Sequence, residues 1–230
     1  MSPDIKYLAL RLQGPLQSWG VDSQYSRRNT GLMPTKSAVA GMCCAALGFA
    51  RGGPEEGPFL QQFAGLQMTA ISIPRAVQRP WTGARPRELA VRRLQDYHTV
   101  QDTRKADGSL KDCHITYRQY LTDASFGVVL AGDARVIRQI ETALADPKWG
   151  LWLGRKACIP TAPVLAGVCD SLDAACQRLI GDEPLGAFTR QEESATFAEG
   201  RDTLPDLSLC FASERRLFSP RRVRTIQGSL

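Results

Sequence analysis

Residues 94–126 contain a turn between two segments of β type, and this pattern constrains the fold more than any other stretch. Asp107-Gly108 is a dipeptide typical of tight hairpin turns. On either side, residues 97–101 and 114–120 are rich in β-branched and aromatic side chains, with polar and apolar positions alternating. The stretch therefore predicts a long β-hairpin that projects from a folded domain.

The predicted hairpin is basic and carries aromatic rings. It contains both histidines of the chain, His98 and His114, and three of its five tyrosines, Tyr97, Tyr117 and Tyr120. Cations pair with phosphates and flat rings stack on unpaired bases, so the stretch favours a nucleic acid as ligand. A solvated surface hairpin with ordinary charges fits these residues equally well when they are taken alone.

The positive charge of the chain is concentrated in two stretches. The 230 residues carry a net charge of +6, and the pI is near 9.1. Residues 75–118 contain ten Arg or Lys against five Asp or Glu, and residues 215–224 contain five Arg. Net charge alone is a weak indication, but clustering favours a polyanionic partner. We expect the arginine-rich stretch 215–224 to form an extended arm.

Cysteine usage and hydropathy argue against several classes of protein. The seven cysteines are odd in number and form no Cys-x-x-Cys motif, so we expect no disulfide framework, metal site or other cofactor. Met1 leads directly into a predicted strand, which argues against a signal peptide. The longest apolar run, 38–50, is shorter than the roughly 20 residues that cross a bilayer. We expect a cytoplasmic protein with no membrane partner, whose thiols are small core residues.

The remaining periodicity predicts an α+β fold. Segments of β type and of helical spacing follow one another as strand, helix, strand, inserted hairpin, strand, helix and strand, which is the ferredoxin-like βαββαβ order. The predicted strands are 5–12, 67–73, 125–130 and a short one before 167, and the predicted helices follow Thr35 and Asp133. We predict a domain at 1–169, with the hairpin inserted at about 76–122, and an extension at 170–230 that holds a short helix, a strand and the basic stretch.

The start of the first predicted helix is a candidate phosphate site. A helix N-terminus offers free N–H groups and the positive end of the dipole, here beside the hydroxyls of Thr35 and Ser37 and the ammonium of Lys36. Capping alone explains Thr35, but it does not explain Lys36, whose charge opposes the dipole.

Two loops contain further candidate residues. The loop after the first strand carries Gln17, Trp19, Tyr25, Arg27 and Arg28, a combination that suits a ligand, although a tryptophan that anchors the loop on the core is the simpler alternative. Arg155 and Lys156 follow a glycine at which the backbone can approach a ligand closely. A bulge with two solvated cations is the equal alternative there.

Four blocks of sequence together resemble one known family. They are LRLQGPLQSWG at 10–20, TGLMPTKSAVAGMCCAALG at 30–48, LQDYHTV with ITYRQYLTDASF in the hairpin, and LGRKACIPTAPVLAG at 153–167. In this order and spacing they resemble the CasD family, the RAMP-type subunit of the type I-E CRISPR surveillance complex Cascade. The resemblance covers residues 5–167 and is specific only when the blocks are taken together.

The resemblance implies a ferredoxin-like or RRM-like (RAMP) domain whose hairpin is a thumb. It implies a structural subunit that binds the 5′ handle of the crRNA beside the backbone subunit and the PAM-reading large subunit, and that meets target DNA through the assembled complex. The residues that the resemblance and the local chemistry assign to RNA are Gln17, Trp19, Arg28, Thr35, Lys36, Ser37, Tyr97, His98, Thr99, Arg104, Lys111, Arg118, Tyr120, Arg155 and Lys156.

An endoribonuclease is the alternative, because the related type I-C subunit cleaves precursor RNA. Metal-independent cleavage needs a base for the 2′-OH and an acid or cation for the leaving group and the phosphate. Tyr97, His98 and Lys105 are the candidates for those roles. The two histidines of the chain lie on opposite arms of the hairpin, and a histidine in an RNA-binding hairpin more often contacts RNA than cleaves it.

Overall fold

The computed structural model describes residues 4–77, 87–89, 91–105, 107–194, 196 and 198–228. Its strands are β1 (Ile5–Gln13), β2 (Leu16–Gln17), β3 (Arg27–Arg28), β4 (Gln67–Ser72), β5 (Arg75–Val77), β6 (Arg87–Leu89), β7 (Arg92–Arg104), β8 (Leu110–Thr122), β9 (Ser125–Asp133), β10 (Leu165–Cys169), β11 (Arg190–Glu193), β12 (Asp202–Cys210) and β13 (Leu217–Ile226). Its helices are α1 (Lys36–Leu47), α2 (Glu56–Ala64), α3 (Ala134–Ala145) and α4 (Leu172–Ile180), with a 3-10 turn at Leu185–Ala187.

The main sheet has the strand order β10-β1-β9-β4-β11-β13-β12, and each neighbouring pair is antiparallel. The first four positions hold the fourth, first, third and second strands of the predicted βαββαβ unit, in the ferredoxin-like arrangement. The helix α1 follows β1, the first strand of the unit in the chain, and α3 precedes β10, the fourth. The predicted fold class is therefore confirmed.

Alternation along β1 divides the core between the two faces of the sheet. Leu8, Leu10 and Leu12 belong to the larger cluster, which includes the apolar residues of α1, α2 and α3. Ala9 points to the opposite face, where it joins Val129 and the apolar residues of α4. The extension thus contributes a helix to the second face of the ferredoxin-like sheet.

Both predicted helix caps are present. The Thr35 hydroxyl accepts a hydrogen bond from the N–H of Ala38 at 3.3 Å, and the Asp133 carboxylate accepts one from the N–H of Arg135 at 2.8 Å. Each cap satisfies an N–H group that would have no partner inside its helix. The local signals in the sequence thus predicted where α1 and α3 begin.

The predicted hairpin is formed by β7 and β8, which pair in antiparallel register. Gly108 has a φ of +82°, and the Asp107 carboxylate accepts a hydrogen bond from the N–H of Ser109 at 2.9 Å. These are the roles that a turn gives to Gly and Asp, so the turn prediction is confirmed. The insertion predicted at about 76–122 begins before β7, where β5 pairs with β6; residues 78–86 and 90 lie outside the described residues.

The prediction of an extended basic arm at 215–224 is wrong. Most of this stretch lies in β13, which is paired on one side with β11 and on the other with β12. Its arginines are engaged by the fold, because Arg221 is buried against Asp206 and Arg224 contacts Glu192 at 2.8 Å. The strands of the extension continue the main sheet, since β11 pairs directly with β4.

Most of the cysteines are buried, as expected of small core residues. All seven thiols are free, and five of them are buried: Cys43, Cys44, Cys158, Cys169 and Cys176. Burial raises the pKa of the Cys44 thiol to about 12, which keeps it protonated and unreactive at neutral pH. Cys113, on the hairpin, is exposed and departs from the prediction of core thiols.

Candidate nucleic-acid interface

The start of α1 does not present its charge to solvent. The Lys36 side chain is fully buried, and its ammonium donates hydrogen bonds to the main-chain oxygens of Ala64 (3.1 Å) and Leu66 (2.6 Å). It also donates to both carboxylate oxygens of Glu193, at 3.0 and 2.9 Å. The N–H of Lys36 itself donates to Asp206 at 2.8 Å.

A second cation completes this group, which we term the buried charge cluster: Lys36, Glu193, Asp206 and Arg221. The Arg221 guanidinium donates two hydrogen bonds to Asp206, at 2.7 and 3.0 Å, and lies 3.8 Å from Glu193. Burial lowers the pKa of Lys36, while the Glu193 carboxylate opposes this by favouring the charged form. Two cations thus face two carboxylates inside the protein.

The structure does not support the phosphate site predicted at Thr35, Lys36 and Ser37. The Lys36 ammonium is inaccessible and already paired, and one of the N–H groups of the helix start is taken by Asp206. Thr35 is buried as the cap, and the Ser37 hydroxyl donates to the Thr35 hydroxyl at 3.2 Å. These residues connect α1 to the strands of the extension.

Gln17 and Trp19 are also fully buried, so the anchoring alternative holds for this loop. The Gln17 amide donates to the main-chain oxygens of Leu12 (3.0 Å) and Ala124 (2.7 Å). The Trp19 ring packs edge-on against Phe126, with 6.4 Å between ring centroids. Their role is to fix the start of the loop on the core, and neither side chain presents a surface to RNA.

The rest of this loop lies against the hairpin. The short strand β3 pairs in parallel with β8, aligning Arg27 with Tyr117 and Arg28 with Arg118. The N–H of Tyr117 donates to the main-chain oxygen of Ser26 at 2.8 Å. The side chains of Arg27 and Arg28 are exposed, and the Arg27 guanidinium lies 5.7 Å from the centroid of the Tyr117 ring. Two cations are therefore held at the base of the hairpin.

The aromatic residues of the hairpin lie on both of its faces. Tyr97 and Tyr117 are directly opposite each other, with their rings 5.5 Å apart in an edge contact, and both are exposed. Thr99 is exposed two residues further along the same face. Tyr120 lies on the other face and is buried, so the predicted stacking on Tyr120 by a base is not supported.

The opposite face of the hairpin carries half-buried polar residues. His98 lies 3.7 Å from the Asp96 carboxylate, measured from its Nδ1 atom. Arg118 is paired with Asp96 across the strands, and its Nε atom donates to the hydroxyl of Thr116 at 3.1 Å. His98 and Arg118 are thus partly exposed, at the edge of the candidate interface.

Arg155 covers the Tyr120 ring and joins the loop to the hairpin. Its guanidinium lies 4.8 Å from the Tyr120 centroid and donates to the main-chain oxygens of Gln119 (2.9 Å) and Arg28 (2.7 Å). The preceding Gly154 has a φ of +99°, and a Cβ atom there would stand 1.8 Å from the Ser18 oxygen, so only glycine fits. The Arg155 side chain is thus fixed by carbonyls of two different segments, the hairpin and the loop. Lys156, in contrast, is exposed.

The far end of the hairpin presents more cations. Arg104 and Lys105 are exposed, and Arg104 donates to the main-chain oxygen of Gly108 at 3.3 Å. Lys111 pairs with Thr103 through the backbone, and its side chain lies outside the described part of the structure. The base and the far end are separate basic regions on one ribbon.

The sequence profile of the family described as CRISPR-associated protein (Cas_Cas5) matches residues 7–224. The chain belongs to this Cas5 family. It is 35% identical over 195 residues to the CRISPR system Cascade subunit CasD of Escherichia coli (strain K12), and the match covers 83% of each chain. The resemblance to CasD that the sequence blocks predicted is therefore confirmed.

Two solved structures share the fold of this Cas5 chain. A chain of a CRISPR RNA-guided surveillance complex superposes with a TM-score of 0.72 at 28% identity, covering 96% of this chain and 89% of the other. A chain of the crystal structure of a Cas protein superposes with a TM-score of 0.65, also at 28% identity, covering 97% and 98%.

The residues proposed for cleavage do not come together in this Cas5 chain. Tyr97 and His98 are neighbours in β7, so their side chains point to opposite faces of the hairpin. Lys105 follows the end of β7, seven residues after His98, and at about 3.3 Å per residue it lies roughly 23 Å further along the ribbon. In the described residues, no group of three or more His, Cys, Asp or Glu side chains could hold a metal ion.

Three exposed residues at the base of the hairpin were noted in the sequence but were not among the fifteen residues assigned to RNA. They are Tyr25, Arg27 and Tyr117. Tyr25 and Arg27 belong to the loop whose composition suits a ligand, and Tyr117 belongs to the predicted aromatic hairpin. The parallel pairing of β3 with β8 was not foreseen, and it is this pairing that places the loop beside the hairpin.

Proposed function

We propose that this Cas5 chain is a non-catalytic RNA-binding subunit of a Cascade-type CRISPR surveillance complex, in which it holds the 5′ handle of the crRNA. Its similarity to CasD and its fold in common with a chain of an RNA-guided complex support this assignment. In the proposed assembly it contacts the backbone subunit and the PAM-reading large subunit, meets target DNA only through the complex, and works in the cytoplasm without a cofactor.

The observation that carries the proposal is the surface at the base of the hairpin. Exposed Arg27 and Arg28 lie beside the exposed rings of Tyr97 and Tyr117, and Lys156 is exposed on the loop that Arg155 ties to them. Arginine and lysine bind phosphate oxygens, and aromatic rings stack on bases. A single-stranded nucleic acid uses both groups at once, and the similarity to CasD and to a chain of an RNA-guided complex favours RNA.

The cations at the far end of the hairpin extend this surface. Arg104 and Lys105 are exposed, and the hairpin projects far enough for its two ends to contact different parts of one strand of RNA. We retain Arg28, Tyr97, His98, Thr99, Arg104, Lys111, Arg118 and Lys156 as proposed contacts. We assign Gln17, Trp19, Thr35, Lys36, Ser37, Tyr120 and Arg155 to support of the surface.

Charge reversal at Arg104 and Lys111 tests the hairpin as an RNA ligand. The double glutamate variant is expected to weaken handle binding by the co-expressed complex, most strongly at low salt, because two phosphate contacts become repulsive. The matched control is Arg138→Glu, which reverses an exposed cation on α3. Wild-type affinity of the double variant at both low and high salt would contradict the assignment.

Cleavage is tested separately from binding. The purified complex is incubated with repeat RNA in the presence of a chelator, and we expect the RNA to remain intact while bound. Site-specific cleavage that disappears in His98→Ala would overturn the non-catalytic assignment. His98→Asn, which keeps a hydrogen-bonding side chain, then distinguishes loss of a catalytic imidazole from loss of a contact.

A further inference from the structure

Tyr25 combines high exposure with an unfavourable backbone conformation. The residue is 89% exposed, more than any other large apolar residue described. Its φ is +49°, in the left-handed region that bulky side chains rarely adopt and that glycine or asparagine would occupy with less strain. The fold thus holds a large ring in solvent at a position where a small polar residue would be more stable.

The turn that carries Tyr25 is fixed to the hairpin. Gln24 and Arg27 exchange two main-chain hydrogen bonds, of 3.0 and 2.9 Å, around the two residues of the turn. The oxygen of Ser26, the other turn residue, accepts the N–H of Tyr117 at 2.8 Å. The backbone of Tyr25 therefore has a defined position at the base of the hairpin.

The surroundings of Tyr25 favour a ligand that is both flat and anionic. Arg27 and Arg28 follow it with exposed guanidinium groups. Tyr117 is engaged by the Arg27 guanidinium at 5.7 Å and by the edge contact with Tyr97. Tyr25 offers an unobstructed ring beside these cations, as a base-stacking residue requires.

We propose that Tyr25 stacks on an unpaired base of the RNA held at the base of the hairpin, while Arg27 and Arg28 bind the adjoining phosphates. The inference rests on the proposed function and adds to it a binding residue and the class of group that it contacts. Stacking requires a ring but no particular base, so the site is tolerant of sequence.

The test uses the co-expressed complex with Tyr25→Asn, Tyr25→Phe and, as a matched control, Leu32→Asn, which alters an exposed apolar residue of the same loop. Tyr25→Asn is expected to weaken RNA binding by about 5- to 150-fold, the range for loss of one stacked base. The dependence of binding on salt should not change, since no cation is removed. Tyr25→Phe and Leu32→Asn are expected to bind as the wild type does.

A stability measurement separates loss of stacking from loss of folding. Tyr25→Asn should unfold at the same or a higher temperature than the wild type, because asparagine tolerates the left-handed conformation. Weaker binding by a protein of equal or greater stability is the result that supports the proposal. The opposite result has two parts: Tyr25→Asn is less stable than the wild type, and Leu32→Asn binds RNA as weakly as Tyr25→Asn does. Together these would overturn the proposal.

Two other outcomes also overturn the inference. One is wild-type RNA affinity in Tyr25→Asn, and the other is a defect in assembly with the partner subunits while RNA affinity is unchanged, which would assign the ring to a protein contact. Failure of the proposed function has a different signature, because the wild-type complex itself would then not bind the handle.

Discussion

The start of α1 and the base of the hairpin both contain cations that suggest phosphate binding, but their surroundings differ. Lys36 is buried among Glu193, Asp206 and Arg221, so its charge is neutralised within the fold. At the base of the hairpin, Arg27 is exposed and contacts a ring instead of a carboxylate. A cation recruits an anionic ligand only when the protein has not already supplied its counter-charge.

The difference has an energetic basis. A lysine buried without a partner carries a large desolvation cost, so a buried ammonium implies a carboxylate nearby. An exposed arginine keeps most of its hydration and can exchange it for phosphate at little cost. A lysine or arginine at the surface is therefore a candidate ligand for an anion, whereas one in the interior indicates a structural ion pair.

The largest effect is expected from Lys36→Met, which removes the cation bonded to both carboxylate oxygens of the largely buried Glu193 and leaves it with Arg221, at 3.8 Å. We expect a loss of about 3–5 kcal/mol in the free energy of unfolding, the range for breaking one partner of a buried ion pair. Urea unfolding measures it, with exposed Lys156→Met as a control expected to stay within about 0.5 kcal/mol. A stable Lys36→Met protein that has lost RNA binding would show that Lys36 is an RNA ligand and not a structural partner of Glu193.

An intermediate effect is expected from Arg155→Lys. Lysine keeps the charge but cannot donate to Gln119 and Arg28 while lying flat on Tyr120. We expect a loss of about 1–2 kcal/mol, below the upper range for charge-assisted hydrogen bonds because the side chain is half-exposed. Amide exchange at Tyr117, whose N–H bonds the loop, should accelerate.

The same variant distinguishes a supporting arginine from a phosphate ligand. Lysine replaces arginine adequately as a point charge on phosphate, so a direct ligand would show near wild-type binding and unchanged exchange in Arg155→Lys. That pair of results would place Arg155 among the contacts and weaken the distinction drawn between Arg155 and Lys156.

The smallest effect is expected from Lys156→Ala. Loss of one phosphate contact should reduce the slope of log K against log salt concentration by about 0.7, with little change in stability. Titrations of handle RNA at several salt concentrations measure the slope. An unchanged slope would remove Lys156 from the interface and limit the exposed basic surface to the hairpin and β3.

Local signals in the sequence predicted the ferredoxin-like core. The caps Thr35 and Asp133 and the Asp107-Gly108 turn each act within a few residues, so their structural effect could be inferred without knowledge of the rest of the fold. Hydrophobic alternation, which depends only on neighbouring positions, located β1, β4 and β9.

Long-range pairing limited the prediction of the site. Glu193, the partner of Lys36, lies 157 residues further along the chain, and no local pattern relates the two. The arginines of β13 suggested a solvated arm instead of a strand, because the carboxylates that pair with them, such as Asp206, are on other strands. The parallel contact between β3 and β8 involves two residue pairs, too few for a periodic signal.

The position of β13 has a consequence for synthesis of the protein. This strand follows both β11 and β12 in the chain, yet it lies between them in the sheet. On the ribosome, the ferredoxin-like strands emerge long before the segment that joins β12 to the sheet. That end of the sheet therefore cannot assemble until β13 has been made, and a chain truncated before residue 217 lacks the strand that joins β12 to the sheet.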